Sequence, residues 1–186
     1  MTPRFTEALA LAARAHEGQA RKGTAIPYIV HPVGVAALVA QHGGDEDQQI
    51  AALLHDVLED GGPAFEPAIA RFGARVLRIV AGCTDGVPDA GGIKPAWQAR
   101  KSAYLDHLAQ ADEDTLLVSG CDKLYNARAI VDDLQAIGPA VFDRFTAGKA
   151  GTLWYYERLS EIFARRGVPV AEALTRTVGE MARLAA

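Results

Sequence analysis

The amino-acid sequence predicts an all-α fold. Apolar residues recur at three- and four-residue spacing over nearly the whole chain. No run of alternating or β-branched residues is bounded by hairpin turns. A length of 186 residues with 49% hydrophobic content supports one substantial core, and no polar linker divides it. The expectation is a single domain over 1–186, built as a helical bundle of roughly eight to ten helices.

Phe5, Ala8, Leu9, Ala12 and Ala15 make the inner face of a first helix, which ends in the loop 18–27 carrying Arg21 and Lys22. His31 precedes Pro32, a residue suited to a first helical turn, so it stands at the entrance of a second helix over 33–39. Gly43 and Gly44 close that helix, and Asp45 or Asp47 can cap the next, which carries His55 through Asp60. Gly61, Gly62 and Pro63 stop it, and a pair of short helices follows through Phe72, Val76 and Val80. Segment 84–95, TDGVPDAGGIKP, combines three glycines, two prolines and two aspartates, which suits a mobile lid and a plain connection equally well. A helix with Trp97, Arg100, Lys101, Tyr104 and Leu108 comes next, then one over 113–134 with Asp122 and Asn126 four apart on one face. Helices over 153–163 and 170–184 complete the bundle, and the chain shows no repeat.

A net charge of -4 argues against a protein that grips polymeric nucleic acid. Basic residues nevertheless pair up at Arg21 with Lys22, Arg100 with Lys101 and Arg165 with Arg166, with Lys123, Arg128 and Lys149 as singles. Most such pairs are solvated surface, yet a few converging on one pocket are enough for the phosphates of a small molecule. Two cysteines, Cys83 and Cys121, are too few for a disulfide framework or a metal knuckle and point to a reducing cytoplasm. Arg4, Glu7 and Arg14 interrupt the apolar pattern of the N-terminus, which excludes a signal-peptide core and a membrane span there.

Chemistry concentrates in three settings: PYIVHP at His31, ALLHDVLED at His55 and Asp56, and SGCDKLYN at Asp122. Imidazole nitrogens and carboxylate oxygens together hold a mid-sized divalent cation and leave it Lewis acidic, which suits hydrolysis better than a structural role. A His-Asp dipeptide inside an apolar run is, taken alone, more often a hydrogen-bonded core pair. Here Glu59 follows His55 by four residues and Asp60 follows Asp56 by four, which places both on nearly the same helix face one turn on. The opposite side, Ile50, Leu53, Leu54, Val57 and Leu58, must pack into the core. Burying that carboxylate stripe uncompensated would cost several kcal/mol per charge, so the pattern asks for a metal or a cationic ligand. Glu59 is placed to take or steer the proton of an attacking water, and lysines and arginines from other segments would neutralise phosphate charge. The donor set alone leaves Mn²⁺, Fe²⁺, Co²⁺ and Zn²⁺ open. Trp97, Tyr104, Trp154, Tyr155 and Tyr156 could stack a purine, but aromatics at helical spacing more often form core.

The ordered set AHEGQARKG, PYIVHP, AALLHDVLED and CDKLYNAR resembles the hydrolase domain of RelA/SpoT proteins, and most of all the stand-alone small alarmone hydrolases that include the metazoan SpoT homologue. The resemblance runs from about residue 5 to 165 and implies an all-α HD-domain bundle that uses Mn²⁺ to hydrolyse (p)ppGpp at the 3′ position, giving GDP or GTP and pyrophosphate. It implies degradation of the alarmone without synthesis, by a cytoplasmic protein that acts on a small nucleotide and not on a membrane or polymeric nucleic acid. By motif, His31, His55, Asp56 and Asp122 would be the metal ligands, and Glu59 and Asp60 the acidic pair that orients or deprotonates the attacking water. Arg21 and Lys22 match a pair that lies against base and phosphates, Tyr28 a tyrosine near the pocket, and Asn126 an asparagine closing the cavity. Arg100 and Lys101 resemble a phosphate-meeting pair, and Lys149 and Trp154 resemble later pocket residues. The chain departs from the pattern at Gly61, where threonine is usual, and at Cys121, where alanine is common; Tyr125 replaces the histidine of many bacterial members, as in the metazoan branch. Two other readings stay open: an HD phosphohydrolase of other nucleotides such as (p)ppApp, and a non-catalytic alarmone-binding sensor.

Overall fold

The computed structural model describes residues 2–85 and 95–186. Among the described residues there are ten α-helices, α1 (Pro3–Ala15), α2 (Val30–Gln41), α3 (Glu46–Leu54), α4 (Val57–Gly61), α5 (Glu66–Ala70), α6 (Ala74–Cys83), α7 (Trp97–Leu108), α8 (Glu113–Ile137), α9 (Gly148–Arg165) and α10 (Ala171–Ala185), and two 3₁₀ turns, Pro63–Phe65 and Gly138–Arg144. No strand occurs among the described residues; loop 18–27 is pinched by a lone bridge between Ala20 and Pro27. The all-α expectation holds.

Capping follows the sequence cues. Thr2 accepts the amide of Arg4 ahead of α1, with Pro3 in the first turn. Asp45 and Gln48 form a reciprocal capping box on α3, and Asp112 accepts the amide of Thr115 on α8. α8 is the central element, packed against α2, α3, α6, α9 and α10. It is buried without interruption from Thr115 through Asp122, so that stretch has no wet face. That burial carries Asp122 into the interior, where α2 and the end of α3 meet it. One apolar core continues from Ala8 of α1 to Met181 of α10.

Two local expectations change. The single helix expected to follow its cap at Asp45 or Asp47 and carry His55 through Asp60 is split, with α3 ending at Leu54 and α4 starting at Val57. The His55 imidazole donates from Nδ1 to the carbonyl of Ala52 at 2.7 Å, the acceptor that an unbroken helix would offer to the amide of Asp56. Both junction residues keep right-handed helical angles, and Asp60 still donates to the Asp56 carbonyl at 2.9 Å, so Glu59 and Asp60 remain one turn beyond His55 and Asp56. His31 lies inside the first turn of α2 rather than before it, because that helix begins at Val30.

Candidate metal centre and its cavity

α2 brings His31, the α3–α4 junction brings His55 and Asp56, and α8 brings Asp122. The two ring Nε2 atoms lie 3.2 Å apart. Asp56 Oδ2 is 3.3 Å from His31 Nε2 and 3.1 Å from His55 Nε2. Asp122 Oδ1 is 3.2 and 3.6 Å from the same two nitrogens. His31, His55 and Asp122 are buried, with exposures of 1%, 2% and 5%, and their donor atoms fall within 4.8 Å of one another; Asp56 joins them through both imidazoles.

Three of the four side chains are oriented from behind, while Nδ1 of the buried His31 has no hydrogen-bond partner among the described residues. With Nδ1 of His55 committed to Ala52, its Nε2 presents a lone pair to the cluster. Asp56 Oδ2 accepts the Tyr28 hydroxyl at 2.6 Å. Asp122 Oδ1 accepts from Asn126 Nδ2 at 2.6 Å, and its Oδ2 accepts from Lys123 Nζ at 2.6 Å. Two carboxylate oxygens meet two imidazole nitrogens there, an arrangement stabilised by positive charge between them, from a bound cation or from ring protons. Burial opposes ionisation of Asp56, yet the facing His55 and His31 rings hold its carboxyl well below the usual range. Burial likewise opposes it at Asp122, where Lys123 and the two rings win. Burial pulls the His55 imidazole down, but Asp56 and Asp122 outweigh it and push it well above its ordinary value. Ligand bonds of about 2.1 Å meeting near right angles would space neighbouring donors about 3 Å apart. The observed spacings fit that figure, so the residues fit a divalent cation with mixed nitrogen and oxygen ligation.

A cavity of about 580 Å³ opens over the cluster. Glu59 and Asp60 line it from α4, and Asp60 Oδ2 lies 3.7 Å from Nδ1 of the buried His16. Arg21 donates to Asn126 Oδ1 at 2.8 Å, and its guanidinium carbon is 5.9 Å from the ring centres of both Tyr28 and Tyr125. Lys22 also lines the cavity. Lys101 lines it too, bonded to Asp85 and lying 4.9 Å from the Tyr155 ring centre.

Three expected pocket residues are elsewhere. Arg100 donates to Asp85 Oδ1 at 2.5 Å from the far side and borders a separate depression between α6 and α7 with Ala81 and His107. Lys149, in the first turn of α9, donates to the carbonyl of Ala185 at the end of α10. Trp154 meets Trp97 edge-on at 6.2 Å; it stands two residues from the cavity-lining Tyr156, hence on nearly the opposite side of α9. The aromatic reading as core holds for Tyr104, Tyr155 and Tyr156, which are buried. Most of segment 84–95, and with it the lid expectation, lies outside the described residues. Burial pushes both thiols up, that of Cys121 to about 12, so neither cysteine is poised as a nucleophile.

Lys123, Asp85 and Arg144 line the cavity without having been singled out from the sequence as site residues. Adjacency to Asp122 would have pointed to Lys123. Arg144 lies in the 3₁₀ turn Gly138–Arg144, a stretch without helical periodicity, and gave no signal.

An HD domain family model matches residues 8–153. The guanosine-3′,5′-bis(diphosphate) 3′-pyrophosphohydrolase MESH1 of Danio rerio is 34% identical over 182 residues, covering 87% of this chain and 93% of that protein. The bifunctional (p)ppGpp synthase/hydrolase SpoT of Escherichia coli K12 is 32% identical over 133 residues, covering 68% of this chain and 18% of that much longer protein. A solved metazoan orthologue of SpoT that hydrolyses ppGpp superposes with a TM-score of 0.62 at 28% identity, over 90% of this chain and 98% of its own. Helical architecture, ligand spacing and kinship agree: the chain belongs to the HD domain family, in the group of the MESH1 and SpoT pyrophosphohydrolases.

Proposed function

We propose that this chain is a guanosine-3′,5′-bis(diphosphate) 3′-diphosphatase that converts (p)ppGpp to GDP or GTP and pyrophosphate, with Mn²⁺ as its metal. One observation carries the reading: two imidazoles and two carboxylates converge within 3.1–3.6 Å at the floor of a cavity whose wall holds Glu59 and Asp60. His31, His55, Asp56 and Asp122 would hold the cation, which when bound supplies Lewis acidity toward water and phosphate oxygen.

The chain's own groups do the rest. Glu59, with Asp60 beside it, orients the attacking water and accepts its proton. The water oxygen bonds to the phosphorus attached to O3′, the bond from that phosphorus to O3′ breaks, and a proton returns to O3′ as pyrophosphate leaves. Lys101 and Lys123 neutralise charge on the departing group. Arg21, fixed by Asn126 between Tyr28 and Tyr125, offers a flat cation for a base or phosphate. Lys22 adds charge at the rim.

The chain works as one domain, and we place it in the cytoplasm; its two cysteines are free and buried, and among the described residues no helix is long and apolar enough to cross a membrane. The test is to strip the protein with chelator, restore single metals, and follow products from guanine and adenine 3′-pyrophosphorylated nucleotides by chromatography. Mn²⁺ should restore pyrophosphate release from ppGpp. Failure of every metal on every nucleotide would refute the enzyme, and cleavage of the adenine compounds alone would refute the substrate.

A further inference from the structure

The cavity runs along α8. Asp122, Asn126, Ile130 and Asp133 all line it, at steps of about one helical turn. At 1.5 Å per residue, Asp133 stands about 16 Å along the axis from Asp122. The chain leaves α8 through the 3₁₀ turn Gly138–Arg144 and then sends Arg144 back to that far end, where its Nη1 donates to Asp133 Oδ2 at 2.8 Å. The stem of Arg144 crosses the backbone of Gly23, which has φ +73°; a β-carbon at that position would lie 2.6 Å from Arg144 Cδ. Arg144 is thereby seated against the loop that presents Arg21 and Lys22, and all three line one cavity.

Cationic charge thus occupies two stations. Lys101 and Lys123 lie by the ligand cluster, Lys22 and Arg144 lie at the outer end with Asp132 and Asp133, and Arg21 is tied to Asn126 between them. A substrate phosphorylated only at the reacting end would leave the outer station unused. A nucleotide phosphorylated on both sides of its ribose would engage both. Resting on the hydrolase reading above, the geometry assigns Arg144 as the residue that takes the 5′-phosphate, and so as a specificity determinant for 5′-phosphorylated substrates. Among the described residues the Arg144 guanidinium has one hydrogen-bond partner, Asp133, through Nη1. The rest of its planar fork is available to a phosphate. At 23% side-chain exposure Arg144 is shielded enough for such a contact to count.

The test compares guanosine 5′-diphosphate 3′-diphosphate with guanosine 3′-diphosphate, which has a free 5′-hydroxyl, in the wild type, Arg144→Gln, Arg144→Lys and Asp133→Asn, with melting temperatures alongside. Arg144→Gln should raise KM for the 5′-phosphorylated substrate about tenfold or more, leaving kcat and the KM of the 5′-hydroxyl substrate unchanged. Arg144→Lys should recover part of that loss, and it carries the comparison if the glutamine variant does not fold. Asp133→Asn should leave KM unchanged or lower it, since it frees the guanidinium. An equal KM rise on both substrates, or an Asp133→Asn variant that reproduces the Arg144→Gln loss, would show that Arg144 only fastens the loop and overturns the assignment. If the wild type cleaves neither substrate, the hydrolase reading itself falls and takes this one with it.

Discussion

The hydroxyl of Tyr28 donates a 2.6 Å hydrogen bond to Asp56 Oδ2, the same oxygen that lies 3.1 Å from Nε2 of His55 and 3.3 Å from Nε2 of His31. A group behind a ligand sets where that ligand points, and loss of such a partner commonly weakens metal binding 10- to 100-fold. Tyr28→Phe keeps the ring, which packs 4.8 Å from that of His16, and removes only the donor. Its Mn²⁺ affinity, measured by titration of the stripped protein, should fall by about one order of magnitude while the melting temperature of the metal-free protein stays close to wild type. An unchanged dissociation constant would show that Asp56 is held by the imidazoles alone.

Glu59 lines the cavity one turn beyond His55 and is not among the ligands, so its loss should separate chemistry from binding. Glu59→Gln is expected to lower kcat by about 10²–10⁴ with metal affinity and KM nearly unchanged. Lys22→Ala should do the reverse, raising KM with kcat preserved. A Glu59→Gln variant that loses its metal would instead place Glu59 among the ligands.

Tyr125 packs flat on α2 at Gly34, where a β-carbon would lie 2.1 Å from Tyr125 Cε2. Tyr125 also lies 5.2 Å from the His31 ring and 5.9 Å from the Arg21 guanidinium. Gly34→Ala must therefore push Tyr125 outward, costing about 1–3 kcal/mol of stability and disturbing the Arg21 platform. Denaturant melts should show Gly34→Ala combined with Tyr125→Ala to be more stable than the sum of the two single losses, because the clash disappears with the ring.

The convergence of His31, His55, Asp56 and Asp122 was legible because metal chemistry restricts which residues can serve, and because Glu59 and Asp60 repeat the His55 and Asp56 positions at one helical turn. A helix start was legible where its cap is chemical, as at Asp45 ahead of α3. The break at His55 was not, since it arises from an imidazole bonding to the carbonyl of Ala52, and no spacing rule encodes which ring nitrogen finds which acceptor. Trp154 was misplaced for a related reason: Tyr156 lines the cavity, but a shift of two positions on a helix reverses the face; Lys149 is drawn to the carbonyl of Ala185 at the end of α10 instead. Arg144 shows the converse, a cavity residue delivered by an irregular segment through a tertiary ion pair.

The last prediction concerns stability rather than catalysis. Arg75 of α6 bridges α3 and α8, donating to Asp114 through Nε and Nη2 at 2.8 and 2.7 Å and to Asp45 through Nη1 at 2.6 Å. The Arg75 hydrogen bond holds the Asp114 carboxyl below its ordinary range; at Asp45 burial opposes this, but Arg75 prevails and lowers it too. Depressed folded-state values mean that the contribution is fully present above the unfolded carboxylate pKa of about 3.9 and fades as pH falls through the lower folded values. The Arg75 and Asp45 side chains are 38% and 52% exposed, so solvent screening limits the network to about 1 kcal/mol. Arg75→Gln should therefore be less stable than wild type by about that amount in urea at pH 7. The gap should be smaller at pH 3 than at pH 7, because the interaction fades as pH falls below the unfolded carboxylate pKa of about 3.9. A gap of equal size at both pH values would mean that Arg75 stabilises by packing its stem and not by its charge.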